Sequence, residues 1–151
     1  MNLMTPSTVS HILLVEDNPA DIQLMEEALA EGRGSHFLHG VKDGDKAIRF
    51  LQKEEPYTES QRPDIIILDL NLPGTNGREV LATIKRDNDL KRIPVVVFTS
   101  SNAEKDVNSV YSSYGNCFVK KPKDFDQFVN VVKQIEDYWL NTVILPPPMD
   151  D

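Results

Sequence analysis

Apolar residues gather into four short blocks, at 12–15 (ILLV), 65–68 (IIIL), 93–98 (IPVVVF) and 117–119 (CFV), with a weaker fifth at 37–41. Within each block they run on instead of alternating with polar residues. A strand with one wet face alternates, so a continuous run of branched residues predicts a strand covered on both faces. The segments between the blocks carry a different period. Asn18 and Pro19 form a helix start, and Ile22, Met25 and Leu29 follow at helical spacing, with Gly32 or Gly34 as the stop. Ala47, Phe50 and Leu51 mark a second helix, and Val80, Leu81 and Ile84 a third. Val107, Val110, Tyr111 and Tyr114 form the stripe of a fourth. The clearest is the fifth, with Phe125, Phe128, Val132, Ile135 and Trp139 on one face.

Strand and helix thus alternate five times, which predicts a doubly wound α/β protein: a five-stranded parallel sheet with helices on both faces. Two segments read as irregular, KEEPYTESQRP before the third strand and NTVILPPPMDD at the C-terminus, where Pro146 to Pro148 favour an extended tail. At 151 residues the chain suits one domain, which can bury about two-thirds of its unfolded surface. The expected organisation is a short N-terminal segment (1–9), the domain (10–140) and a C-terminal extension (141–151).

Charge narrows the partners. A net charge of -8 argues against nucleic acid or an anionic membrane and favours a basic protein surface or a bound cation. The single cysteine, Cys117, excludes an internal disulfide and reads as a small buried residue. With no basic, apolar leader and no run of about 20 apolar residues, the expected location is the cytoplasm.

Candidate chemistry sits where the apolar blocks end. The first block runs into Glu16 and Asp17, the third strand ends at Asp69, the fourth delivers Thr99 and Ser100, and the fifth delivers Lys120 and Lys121. In an open parallel sheet the carboxyl ends of the strands line the ligand crevice. Two carboxylates about 5 Å apart repel by about 3 kcal/mol at an effective dielectric near 20, so three of them call for a counter-charge. Mg²⁺ supplies one and leaves room for a phosphate oxygen, a lysine supplies more, and a hydroxyl hydrogen-bonds the arriving anion. Together they describe phosphoryl transfer with aspartate as the nucleophile.

With these residues in this order, the chain resembles the single-domain response-regulator receivers of bacterial two-component signalling across roughly residues 10–140. The resemblance implies a flavodoxin-like (βα)5 fold with strand order 2-1-3-4-5. It implies that Asp69 takes a phosphoryl group from the phosphohistidine of a sensor histidine kinase, with Mg²⁺ or Mn²⁺ as cofactor. Asp17, Asp69 and the backbone carbonyl of Asn71 would hold the metal directly, and Glu16 through water. Thr99 and Phe118 would be the switch pair, Pro73 and Gly74 would shape the adjoining loop, and Asn71 and Ser101 would tune the phosphoaspartate lifetime. The family's lysine directly precedes a proline, which selects Lys121 and makes Lys121–Pro122 a candidate cis peptide; strand alternation turns Lys120 away. Such a protein is no enzyme beyond its own phosphorylation and dephosphorylation. It signals through the surface of its fourth helix, fifth strand and fifth helix.

The sequence EDYWL and the extended tail further resemble the small receivers that serve phytochrome-type kinases. Trp139, Leu140, Val143, Ile144 and Leu145 offer more apolar surface than one helix face needs, which leaves open a tail folded back on its own domain or a partner surface, including a homodimer. His11, His36 and His39 show no metal or relay spacing and read as structural or exposed. Two rival functions differ in class. A pseudo-receiver would bind partners without carrying phosphate. A haloacid-dehalogenase-type phosphatase would place its nucleophile on the first strand with a second acid two residues on, where this chain has the third strand and Asn71. Nucleotide binding lacks its Gly-rich phosphate loop.

Overall fold

The computed structural model describes residues 10–31, 36–101 and 103–147. Five strands, β1 (Ser10–Val15), β2 (His36–Val41), β3 (Ile65–Leu68), β4 (Val95–Thr99) and β5 (Cys117–Lys120), alternate with five helices, α1 (Pro19–Ala30), α2 (Gly44–Gln52), α3 (Gly77–Arg86), α4 (Glu104–Ser112) and α5 (Phe125–Glu136). All strand pairs are parallel and the order is β2-β1-β3-β4-β5, the doubly wound topology expected from the alternation. The Gly32 and Gly34 helix stops, the N-terminal segment 1–9 and Pro148 fall outside the described residues.

The continuous apolar blocks are buried on both faces, as their lack of alternation requires. Leu13, Val15, Ile66, Leu68, Val95 and Val97 pack with α2, α3 and α4. Ile12, Leu14, Ile65, Ile67, Val96 and Phe98 pack with α1 and α5. Short polar side chains start four of the helices. Asn18 accepts from the amides of Ala20 and Asp21, while Asp43, Asn76 and Asp124 cap α2, α3 and α5 in the same way. No helix among the described residues is long and apolar enough to cross a membrane.

Four expectations need correction. The fourth block starts its strand at Val95: Ile93 closes a 3-10 turn (Leu90–Arg92), and Pro94 has no N–H to give a ladder. In α4 only Val110 of the expected stripe is fully buried; Tyr111 and Tyr114 are exposed. Tyr111 instead accepts the Phe118 amide through its hydroxyl at the β5 edge, and Tyr114 lies past the helix end at φ +65. Phe125, the first residue of α5, is also exposed and lines a groove with Ala20 and Leu24, whereas Phe128, Val132 and Ile135 form the buried face. The Lys121–Pro122 peptide is trans, the ordinary preference; among the described residues the cis bond is Glu55–Pro56.

Past α5 the chain enters a π-helical turn, Asp137–Thr142, so the C-terminal extension is helical at its start and irregular from Val143. Trp139 and Leu140 pack against the α1–α5 side of the core, while Tyr138 and Ile144 are exposed. The surplus apolar surface is therefore divided, part folded back and part free.

Candidate functional site

Glu16, Asp69 and Lys121 lie one step beyond β1, β3 and β5, and each is tied down by one more ladder hydrogen bond; Thr99 is the last residue of β4. The Glu16 amide donates to the Val41 carbonyl at 3.1 Å, Asp69 to Val15 at 3.0 Å, and Lys121 to Thr99 at 2.7 Å. Backbone pairing thus runs past the last apolar residue and delivers a charged side chain to the carboxyl edge in fixed register. Glu16, Asp69, Thr99 and Lys121 are all buried there, while Asp17 is exposed at the rim.

Asp69 is the centre. One carboxylate oxygen, Oδ1, accepts the Thr99 hydroxyl at 2.6 Å and the Asn71 amide at 3.2 Å. The other, Oδ2, accepts from Lys121 Nζ at 3.1 Å. Burial pushes the Asp69 carboxyl upward, but the Thr99 hydrogen bond, the Lys121 charge and the Asn71 amide together outweigh it and hold it below its ordinary value. Asp69 is therefore an ionised carboxylate with both oxygens engaged.

Lys121 Nζ also lies 2.6 Å from Glu16 Oε1 and 2.8 Å from Asp21 Oδ2, so its three N–H groups meet three carboxylates from three different elements. Burial works against its charge, but the bonds to Asp21 and Glu16 prevail and raise its pKa. Lys120 is exposed on the opposite side, as alternation requires. The Glu16 carboxyl is pushed up to about 7, chiefly by burial, with the Asp69 charge adding to the rise and Lys121 opposing it.

Carboxylate oxygens of Glu16, Asp17 and Asp69 all lie within 4.8 Å of one another. All three donors are oxygen, the ligand that Mg²⁺ and Mn²⁺ accept, so the donor set fits a hard divalent cation. The remaining expected residues take supporting places. Phe118 is half-buried against the α2–α3–α4 side of the core. Asn71 is exposed with its amide turned to Asp69. Ser101 does not face Asp69; its hydroxyl donates to Asp106 Oδ2 at 2.6 Å.

Glycines let the loops come this close. Gly74 sits at φ +70, and a Cβ at Gly77 would lie 2.3 Å from the Asp69 carbonyl oxygen. Two features escaped the sequence. Asp21 reads as an ordinary acid of a helix first turn, and its contact with Lys121 spans 100 positions. Arg78 of α3 and Asp106 of α4 meet through an ion pair that no local pattern announces. The histidines also come closer than their spacing suggested: His11 Nδ1 lies 3.1 Å from His39 Nε2, across β1 and β2.

A parallel five-stranded sheet in this order, with clustered acids, a threonine and a lysine at its carboxyl edge, defines a receiver domain. The chain belongs to the response regulator receiver domain family, whose profile matches residues 12–133. Among curated proteins it is 48% identical over 135 residues to the response regulator Rcp1 of Synechocystis sp., covering 89% of this chain and 92% of that one. It is 37% identical over 137 residues to the probable methanogenesis regulatory protein FilR2 of Methanothrix harundinacea, covering 91% and 88%. Among solved structures, the phosphorylated cyanobacterial phytochrome response regulator RcpA superposes with a TM-score of 0.90 at 47% identity, over 93% of this chain and all of that one. The Mn²⁺-bound form of Rcp1 gives 0.89 at 47% identity, over 91% and 99%. The protein is a response regulator, a two-component signalling protein.

Proposed function

We propose that this chain is a single-domain response regulator whose Asp69 accepts a phosphoryl group from the phosphohistidine of a sensor histidine kinase. The setting of Asp69 carries the reading: an ionised carboxylate at a strand end, held by Thr99, Asn71 and Lys121, with Glu16 and Asp17 beside it. A carboxylate oxygen of Asp69 bonds to phosphorus as the P–N bond to the kinase imidazole breaks, and the nitrogen keeps the electron pair. Asp17, Asp69 and the Asn71 carbonyl would hold Mg²⁺ or Mn²⁺, with Glu16 acting through a bound water. When bound, the cation supplies charge neutralisation for the phosphoryl oxygens. The similarity to the Mn²⁺-bound form of Rcp1 supports this assignment.

In this reading Lys121 pairs with a phosphoryl oxygen, and Thr99 leaves Asp69 Oδ1 to hydrogen-bond the phosphoryl group. Phe118 follows inward, and the α4–β5–α5 surface changes its affinity for a partner. The only chemistry is self-phosphorylation and dephosphorylation, in a cytoplasmic protein whose domain spans 10–140 between a short N-terminal segment (1–9) and a contact-making extension (141–151). A kinase of the phytochrome type is the proposed donor, supported by the likeness to the phytochrome response regulator RcpA. A second copy of the chain, met through the C-terminal helix and tail, is a proposed partner.

The test is intact-protein mass after incubation with phosphoramidate, with and without Mg²⁺, beside an Asp69→Ala control. A Mg²⁺-dependent phosphoryl adduct that disappears in Asp69→Ala is expected. Folded, Mg²⁺-loaded protein that gains no adduct would mark the chain as a pseudo-receiver.

A further inference from the structure

Lys121 is held by three carboxylates that differ in what else they do. Asp69 and Glu16 belong to the acid cluster and stand within reach of a shared cation. Asp21, at 2.8 Å from Nζ, lies outside that cluster, on α1 instead of a strand end. Its place is fixed from two sides: its own amide donates to the Asn18 side chain at 3.1 Å, and its carboxylate meets the ammonium.

From this geometry we infer that Asp21 is the positioning residue for Lys121, the one partner that keeps the ammonium aimed at Asp69 while Asp69 and Glu16 are engaged elsewhere. The inference rests on the phosphoacceptor reading of Asp69. An exposed ion pair is worth little, because water replaces either partner. Here the Lys121 side chain is 8% exposed and that of Asp21 20%. Losing Asp21 leaves a buried ammonium one acceptor short, and the remaining two acceptors are the groups that the reaction occupies. Lys121 then draws closer to Glu16 or swings out of line.

A residue that acts only through Lys121 has a signature that a residue of the general scaffold lacks: its effect vanishes when Lys121 is gone. The experiment is a double-mutant cycle on the full chain. Phosphorylation by phosphoramidate at saturating Mg²⁺ is followed for Asp21→Ala, Lys121→Met and the pair. A loss of about tenfold is expected for Asp21→Ala in the natural background, and less than about twofold in the Lys121→Met background. The second measurement needs neither phosphate nor metal: the ¹H–¹⁵N resonance of the Lys121 ammonium in metal-free protein near neutral pH. That resonance should be sharp in the natural protein, broadened by exchange in Asp21→Ala, and partly restored in Asp21→Asn, which keeps the acceptor oxygen.

Equal losses in both backgrounds, or an ammonium resonance indifferent to Asp21→Ala, would overturn the inference. If the natural protein takes up no phosphoryl group, the phosphoacceptor reading fails by itself. The ammonium spectrum still decides whether Asp21 holds Lys121.

Discussion

Glu16 sits 2% exposed between a lysine and another acid, and burial sets its behaviour. Its carboxyl is pushed up to about 7 from the ordinary 4.5, so folding favours the protonated form. The stability this confers is complete below 4.5 and is lost as the pH rises through about 7. Asp69 runs the other way: its lowered carboxyl supports the fold above its ordinary 3.8 and loses that support only in stronger acid. Between pH 5 and 8, then, metal-free protein should lose melting temperature as pH rises, and Glu16→Gln should flatten that slope; thermal melts across the range check it. Gly77 makes a second prediction at this scale. A methyl group there would lie 2.3 Å from the Asp69 carbonyl oxygen and 2.5 Å from the Leu70 Cα, backbone atoms with little room to yield. Gly77→Ala should cost about 1–3 kcal/mol in urea unfolding, and a shifted crevice should slow phosphorylation as well.

The segment linking β4 to α4 joins the buried Thr99 to a second anchor. Asp106, in the first turn of α4, accepts from the Ser101 hydroxyl at 2.6 Å and from Arg78 Nε at 3.0 Å. These bonds, the Ser101 hydroxyl first and the guanidinium second, hold the Asp106 carboxyl below its ordinary value. Because Thr99 must move in the proposed switch, the anchor opposes it. Arg78→Ala should raise amide exchange across residues 103–108 by about tenfold while the β1 and β3 amides stay protected, as hydrogen-exchange mass spectrometry would show. Unchanged exchange in α4 would mean that Ser101 alone holds the segment. This element also shows where sequence stops informing. The β1 and β3 blocks, the Asn18 cap and the strand-end acids were legible because burial on both faces and helix capping are local properties. The same reasoning put Tyr111 and Tyr114 on one stripe with the buried Val110, because spacing shows which residues share a face and not which face is covered. The Arg78–Asp106 pair and the Asp21–Lys121 contact exist only after the sheet brings distant segments together.

Across the whole molecule, the C-terminal extension divides between two duties that charge and exposure can separate. Trp139 and Leu140 pack on the α1–α5 core, so Trp139→Ala should cost about 2–3 kcal/mol, below the full value for a buried aromatic. Ile144, at 95% exposed, contributes nothing to that packing, and Ile144→Asp should leave stability within about 0.5 kcal/mol. Its consequence belongs to association. Two copies each bearing a net charge of -8 repel, so a contact between copies through the apolar tail should tighten as salt screens that repulsion. Docking to a basic surface of a kinase would weaken under the same salt. Sedimentation velocity of the natural protein and Ile144→Asp, at low and high salt, therefore separates the two contacts. Salt-promoted association present in the first and absent in the second would place the tail between copies. Identical sedimentation of both proteins under all conditions would remove the tail from self-association, leaving its free apolar face to a different partner.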